Sequence, residues 1–257
     1  MGYLGYKPAD KPLTSADITD SIITSAKITD GTIANADINS SAAIALSKLS
    51  TTGTASASNY LRGDGAWSTI SSDFVRIATT TISSSVATVD FTSVFTSTYD
   101  RYIITIDNIT ADANAYISMR VIYSTNTVDS TTSYTQVGNN AVVNTSGTTS
   151  EGGVSNYNTY GELYVNYNSG IASGTGTEGK GLSATINLST PANTTNGKAM
   201  TMQCGFFNSS NQYNSQKSFW YYRSTNAITG LRFYTGAGNF TSGTISIYGL
   251  KKSWQKN

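Results

Sequence analysis

Residues 182–188 read Leu182-Ser183-Ala184-Thr185-Ile186-Asn187-Leu188, and residues 200–206 read Met200-Thr201-Met202-Gln203-Cys204-Gly205-Phe206. In both, apolar side chains take alternate positions and polar or small ones fill the gaps. A period of two is that of a β-strand with one face in a core and the other toward water. The same alternation returns in Tyr102, Ile104 and Ile106 against Ile103, Thr105 and Asp107, and in Ile117, Met119, Val121 and Tyr123. Leu231 with Phe233, and Ile245 with Ile247, repeat it. About eight to ten such runs, separated by Asn, Gly, Ser and Thr turns, fill the second part of the chain. An all-β fold follows, with residues 72–257 forming a C-terminal β-sandwich of jelly-roll type.

Upstream the pattern changes. Residues 50–71 are rich in Ser, Thr, Gly and Ala and read as a junction. They carry Arg62-Gly63-Asp64, an integrin-type tripeptide whose glycine-flanked setting, with Trp67 nearby, makes it a turn. Between Leu13 and Ile38 an aliphatic residue recurs at every fifth position: Leu13, Ile18, Ile23, Ile28, Ile33 and Ile38. A small residue precedes each isoleucine by two places: Ala16, Ser21, Ala26, Gly31 and Ala36. Five is the period of neither a helix nor a strand. The pattern is similar to a pentapeptide-repeat solenoid, but these few pentads make little more than one coil, and a solenoid needs several stacked repeats. Three parallel chains in register would instead gather equivalent isoleucines around one axis. Residues 13–49 are therefore expected to be a trimeric β-structured shaft with Ile18, Ile23, Ile28, Ile33 and Ile38 as its core. Toward its end the spacing changes, and Ile44, Leu46 and Leu49 suit a short helical turn. Residues 1–12, MGYLGYKPADKP, have no period, and Pro8 and Pro12 favour extended backbone. Tyr3, Leu4, Tyr6 and Pro8 read as anchors for a partner surface.

Composition narrows the function. Sixteen basic and 15 acidic residues leave a net charge of +1, so no basic field points to nucleic acid. Charged residues make up 12% of the chain against about 25% in ordinary soluble domains, and uncharged polar residues replace them. With no histidine, the commonest general base and metal ligand is missing, and no cofactor or metal is expected. The single cysteine, Cys204, excludes an internal disulfide and reads as a buried small hydrophobe. No apolar run reaches the length of a membrane span, and a secretory leader is not expected.

Two aromatic clusters stand out: Tyr157, Tyr160, Tyr164 and Tyr167, then Tyr213, Phe219, Trp220, Tyr221 and Tyr222. Flat aromatic faces suit the C–H surfaces of sugars, and Asn156, Asn158, Asn211 and Asn214 lie close by in sequence. Tyr157, Tyr160, Tyr213, Trp220 and Tyr222 are the candidate glycan contacts; the competing reading places such aromatics in the core or at an oligomer interface. The acid pairs Asp17/Asp20 and Asp30/Asp37 read as solvated edges of the repeat, and Glu151, Glu162 and Glu178 show no catalytic spacing.

Three segments carry a resemblance to the tail-fibre and related virion proteins of tailed bacteriophages. The opening MGYLGYKPADKPLTSADITD resembles the start of many such proteins. The repeat followed by Tyr60-Leu61-Arg62-Gly63-Asp64-Gly65-Ala66-Trp67 resembles their junction motif. FTSTYDRYIITIDNITADANAYISMRV and the terminal GTISIYGLKK resemble their C-terminal β-domain. The resemblance implies a non-enzymatic virion structural protein, a short homotrimeric fibre or spike on the virion surface, made in the host cytoplasm. Its N-terminus would dock on other virion proteins of tail or capsid, and its outward sandwich would bind host-surface glycan. A capsid decoration or head-fibre protein without a specific receptor is the alternative. A polysaccharide depolymerase is disfavoured, because neither a long parallel β-helix nor clustered acids is visible.

Overall fold

The computed structural model describes residues 14–69, 72–124, 126–131, 133–143, 146–147, 149–158, 161–163 and 181–251. The proposed anchors Tyr3, Leu4, Tyr6 and Pro8 lie outside these residues, as do Tyr160, Tyr164 and Tyr167. Two compact units divide the chain, Met1–Ile70 and Ser71–Asn257. The fold is all-β, with no α-helix among the described residues.

In the first unit the repeat takes a form the sequence reading did not expect. Residues 14–49 contain no strand. Single 3-10 turns at Ser15–Asp17, Ser25–Lys27 and Asn35–Asp37 alternate with hydrogen-bonded β-turns. The β-turns are closed by Ile22 N donating to Thr19 O (3.3 Å), Thr32 N to Thr29 O (3.1 Å) and Ala42 N to Asn39 O (2.9 Å). The structural period is thus ten residues: TSADITDSII, TSAKITDGTI and ANADINSSAA. Local side chains displace strand pairing by satisfying the backbone within each turn. Asp17 accepts from the Thr14 N–H (2.8 Å) and hydroxyl (2.7 Å), and Asp37 accepts from the Ala34 N–H (2.8 Å). These bonds favour the ionised Asp17 and lower its pKa from the ordinary carboxylate value. A further 3-10 turn covers Leu46–Lys48.

The unit closes with a small hairpin of β1 (Asn59–Leu61) and β2 (Trp67–Thr69). Gly65 N donates to Arg62 O (3.0 Å), Arg62 N donates to Ala66 O (2.8 Å), and Gly65 takes φ +82°. This is a three-residue hairpin loop with glycine at the left-handed position. Asp64 Oδ1 accepts from the Ala66 N–H (3.1 Å) within the turn, and Arg62 and Asp64 pair with each other at 3.1 Å.

The second unit contains β3 (Phe74–Ile82), β4 (Thr88–Phe91), β5 (Tyr99–Ala111), β6 (Ile117–Tyr123), β7 (Thr127–Val128), β8 (Tyr134–Val143), β9 (Thr149–Asn158), β10 (Gly161–Leu163), β11 (Leu182–Ser189), β12 (Lys198–Phe207), β13 (Tyr213–Tyr222), β14 (Ile228–Thr235) and β15 (Phe240–Lys251). The larger sheet has eight strands in the order β3-β15-β5-β11-β12-β13-β8-β9. The smaller runs β10-β6-β14-β4, with β7 also on β6. From β3 to β6 each successive strand changes sheet, as do β10 to β11 and β14 to β15. The hairpins β8–β9 and β12–β13 widen the larger sheet.

The two sheets share one core. Phe91, Met119, Leu231 and Phe233 of the smaller sheet pack in the same cluster as Ile104, Ile186, Met202 and Ile247 of the larger. Alternation holds along β11, β12 and β13: in β11, Leu182, Ala184, Ile186 and Leu188 are buried and their neighbours Ser183, Thr185 and Asn187 exposed. Cys204 is buried in this core, and burial pushes its thiol up to about 12.

One corner of the core is polar. Lys198 is fully buried and its ammonium donates to the carbonyls of Ser224 (3.1 Å) and Asn226, close to the Tyr222 ring. Burial lowers its pKa below the usual lysine range. Tyr222 donates its hydroxyl to Asp129 Oδ2 (2.5 Å), and Tyr134 donates to Asp129 O (3.2 Å) while accepting from Val121 N (2.9 Å). Burial holds both phenols well above the ordinary tyrosine pKa.

Candidate functional site

Strand β13 decides which aromatics can meet a ligand. Its ten residues alternate without interruption: Tyr213, Ser215, Lys217, Phe219 and Tyr221 are exposed, and Asn214, Gln216, Ser218, Trp220 and Tyr222 are buried. Two of the proposed glycan contacts are therefore corrected. Trp220 and Tyr222 are 3% and 0% exposed, face the core, and cannot touch a sugar from outside. Their parity differs from that of Tyr213 on the same strand, so the three never share a face. Tyr213 stays on the outer face at 46% exposure. Tyr157 is described in its backbone alone, where it pairs in register with Thr135.

Phe219, a member of the second aromatic cluster but not one of the candidate glycan contacts, is 60% exposed and lies opposite Val137 at 58% exposure. With Tyr221 they make an apolar stripe on the outer face of β13 and β8. The register of β12 on β13 accounts for it. Met200 and Trp220 are register partners, so a core-facing Met200 sends Trp220 inward and Phe219 outward.

Next to the stripe the outer face becomes polar and indented. A depression of about 320 Å³ lies across β5, β11, β12 and β13, lined by Asp107, Ser183, Thr185, Gln203, Tyr213 and Ser215 among others. Its wall is Tyr213, whose ring stands edge-on to Phe207 with centroids 5.5 Å apart. The phenol lies against the bare backbone of Gly205, where a Cβ would come within 2.5 Å of its hydroxyl oxygen. Its far side is shaped by a bulge. Asn108 takes φ +50°, the pairing of β11 with β5 shifts register between Leu182 and Ala184, and Ser183 Oγ accepts the Asn108 N–H at 3.1 Å. Bulges of this kind re-aim side chains at the edges of sites. Thr105 donates to Asp107 Oδ2 at 3.3 Å. A second depression, about 270 Å³, lies further along this face between Arg101, Asn187, Thr201 and Leu250.

The remaining acids do not converge. Among the described residues no group of three or more His, Cys, Asp or Glu is placed to hold a metal ion. Glu178 lies outside the described residues, and Glu151 and Glu162 are described in their backbone alone. A bidentate ion pair joins Arg232 Nε to Asp90 Oδ1 (2.7 Å) and Nη2 to Oδ2 (2.5 Å) across β14 and β4. This bond raises the Arg232 pKa and ties the two strands together.

No known family, no curated protein and no solved structure matches this chain.

Proposed function

We propose that this chain is a structural protein of a tailed-phage particle: a short homotrimeric fibre or spike whose jelly-roll sandwich faces away from the particle and engages host-surface glycan. One observation carries the reading. Ile18, Ile23, Ile28, Ile33 and Ile38 are 40–57% exposed, and Ile22, Ile44 and Leu49 join them. A row of large aliphatics in water marks a surface awaiting a partner. Burying each side chain is worth roughly 1.5–3 kcal/mol, enough in sum to hold several chains together. Equivalent residues of identical chains supply that partner without a second gene product.

Two further observations support the reading. Eight strands (β3 to β6, β10, β11, β14 and β15) divide four and four between the sheets and change sheet at every step but β6 to β10, which supports a jelly roll. The outer face of the larger sheet offers tyrosine, amide and hydroxyl groups with few charges, chemistry suited to sugars. Residues 1–12 dock on virion partners, and no catalytic step is assigned.

Mass photometry of the full chain tests the trimer: the expected particle has three times the 27.2 kDa chain mass, and a monomer at micromolar concentration overturns it. Deleting residues 1–12 tests docking: the truncated protein is expected to stay trimeric and to be missing from purified particles, and undiminished incorporation overturns that role.

A further inference from the structure

We propose that the depression walled by Tyr213 is a site for a single neutral pyranose, held with a C–H face on the phenol ring and its hydroxyls on Asp107, Thr185 and Gln203. The proposal rests on the glycan reading above and gives it a place and a chemical class.

Four features point there. The cavity, about 320 Å³, is at the small end of small-molecule sites and suits one sugar ring rather than a chain. Tyr213 is about half exposed, yet its ring is fixed by Phe207 and by the bare backbone at Gly205. A fixed aromatic wall loses little freedom on binding. The opposite rim is set by the strained Asn108 and its bulge, which a plain ladder would not need. The lining mixes an acceptor carboxylate, a two-way amide and hydroxyls, so it can pair with hydroxyl groups that both donate and accept.

Charge selects the class. Asp107 is the single charged side chain of the lining, and it disfavours an acidic sugar. Lys217, the register partner of Gln203, stands outside the lining. The apolar stripe around Phe219 is more than one residue away along β13 and is not part of the site.

Saturation-transfer NMR on the intact protein tests this, with methyl α-glucopyranoside, methyl α-galactopyranoside and methyl β-glucuronide as probes. At least one neutral glycoside is expected to receive saturation on its ring protons, and the glucuronide is not. Tyr213→Ala is expected to weaken that binding about tenfold. Gln203→Ala, which keeps the wall, should weaken it several-fold, while Phe219→Ala leaves it unchanged. Unaltered thermal unfolding shows that each variant is folded. Silence with both neutral probes, an equal response to the glucuronide, or undiminished binding by folded Tyr213→Ala overturns the proposal. A trimer that docks on particles but shows no saccharide response removes this site alone. A monomer that binds the neutral probe removes the fibre reading alone.

Discussion

Gly230 stands where the smaller sheet has no room for a side chain. A Cβ there would meet Phe91 O at 2.0 Å, and the β14–β6 pairing shifts register at this point. The neighbour is backbone and cannot swing aside. Gly230→Ala is expected to cost about 3 kcal/mol and to lower the melting temperature by about 10 °C in calorimetry. Gly153→Ala, whose new Cβ meets nothing within 4 Å, should change it little. Cys204 offers a second test. With 4% exposure and a thiol pushed up to about 12, it should ignore a disulfide reagent at pH 8 in the native state. One equivalent of thiol should appear on denaturation, and rapid native labelling would contradict the burial. At Asn108, by contrast, the chain accepts strain, and asparagine is among the residues best able to take a positive φ.

At the scale of single elements, the strands were legible because a half-buried sheet writes its two faces into alternate letters. Leu182–Leu188 and Met200–Phe206 could be read directly. In β13 aromatics occupy both parities from Phe219 to Tyr222, so composition alone does not tell core from surface there. The repeat was legible as a period of five and hid a period of ten. The aliphatics recur identically, while the small residues alternate in conformation: Ala16, Ala26 and Ala36 sit in 3-10 turns, and Ser21 and Gly31 take φ +64° and +78°. Ser and Gly where a turn demands the left-handed region, and Ala where it does not, was the signal. If the exposed isoleucines form an interface between copies, a charge on that row is expected to break it. Ile28→Asp with Ile33→Asp should shift self-association by at least a hundredfold in sedimentation velocity, because equivalent carboxylates would be buried together. Lys27→Ala, on the same segment, should leave it unchanged. Equal association in both variants would place the interface elsewhere.

For the whole molecule, the all-β class could be read from the sequence, but the pairing of strands could not. Strand order depends on contacts between residues far apart in the chain, and no local pattern encodes them. Nothing in GTISIYGLK announces that β15 lies between β3 and β5, pairing Ile247 with Ala78 on one side and with Ile104 on the other. The depression at Tyr213 was hidden for the same reason: Asp107, Ser183, Gln203 and Tyr213 come from four strands. That placement of β15 makes a sharp prediction. A chain ending at residue 239 loses the strand that pairs with both, and Ile245 and Ile247 leave the core. It is expected to be digested rapidly by dilute protease under conditions where the full chain resists. A resistant fragment spanning β3 to β14 would show that β15 is dispensable.

The position of β15 also sets a timetable for biosynthesis. The ribosome emits β3 and β5 before the strand that joins them, so the larger sheet stays incomplete until β15 has been made. The isoleucine-bearing repeat leaves the ribosome before the sandwich does, and its turns close through contacts a few residues long. Under the trimer proposed above, nascent chains on one message would meet through these segments while their sandwiches are still open, and the order of synthesis would favour partners made from the same transcript.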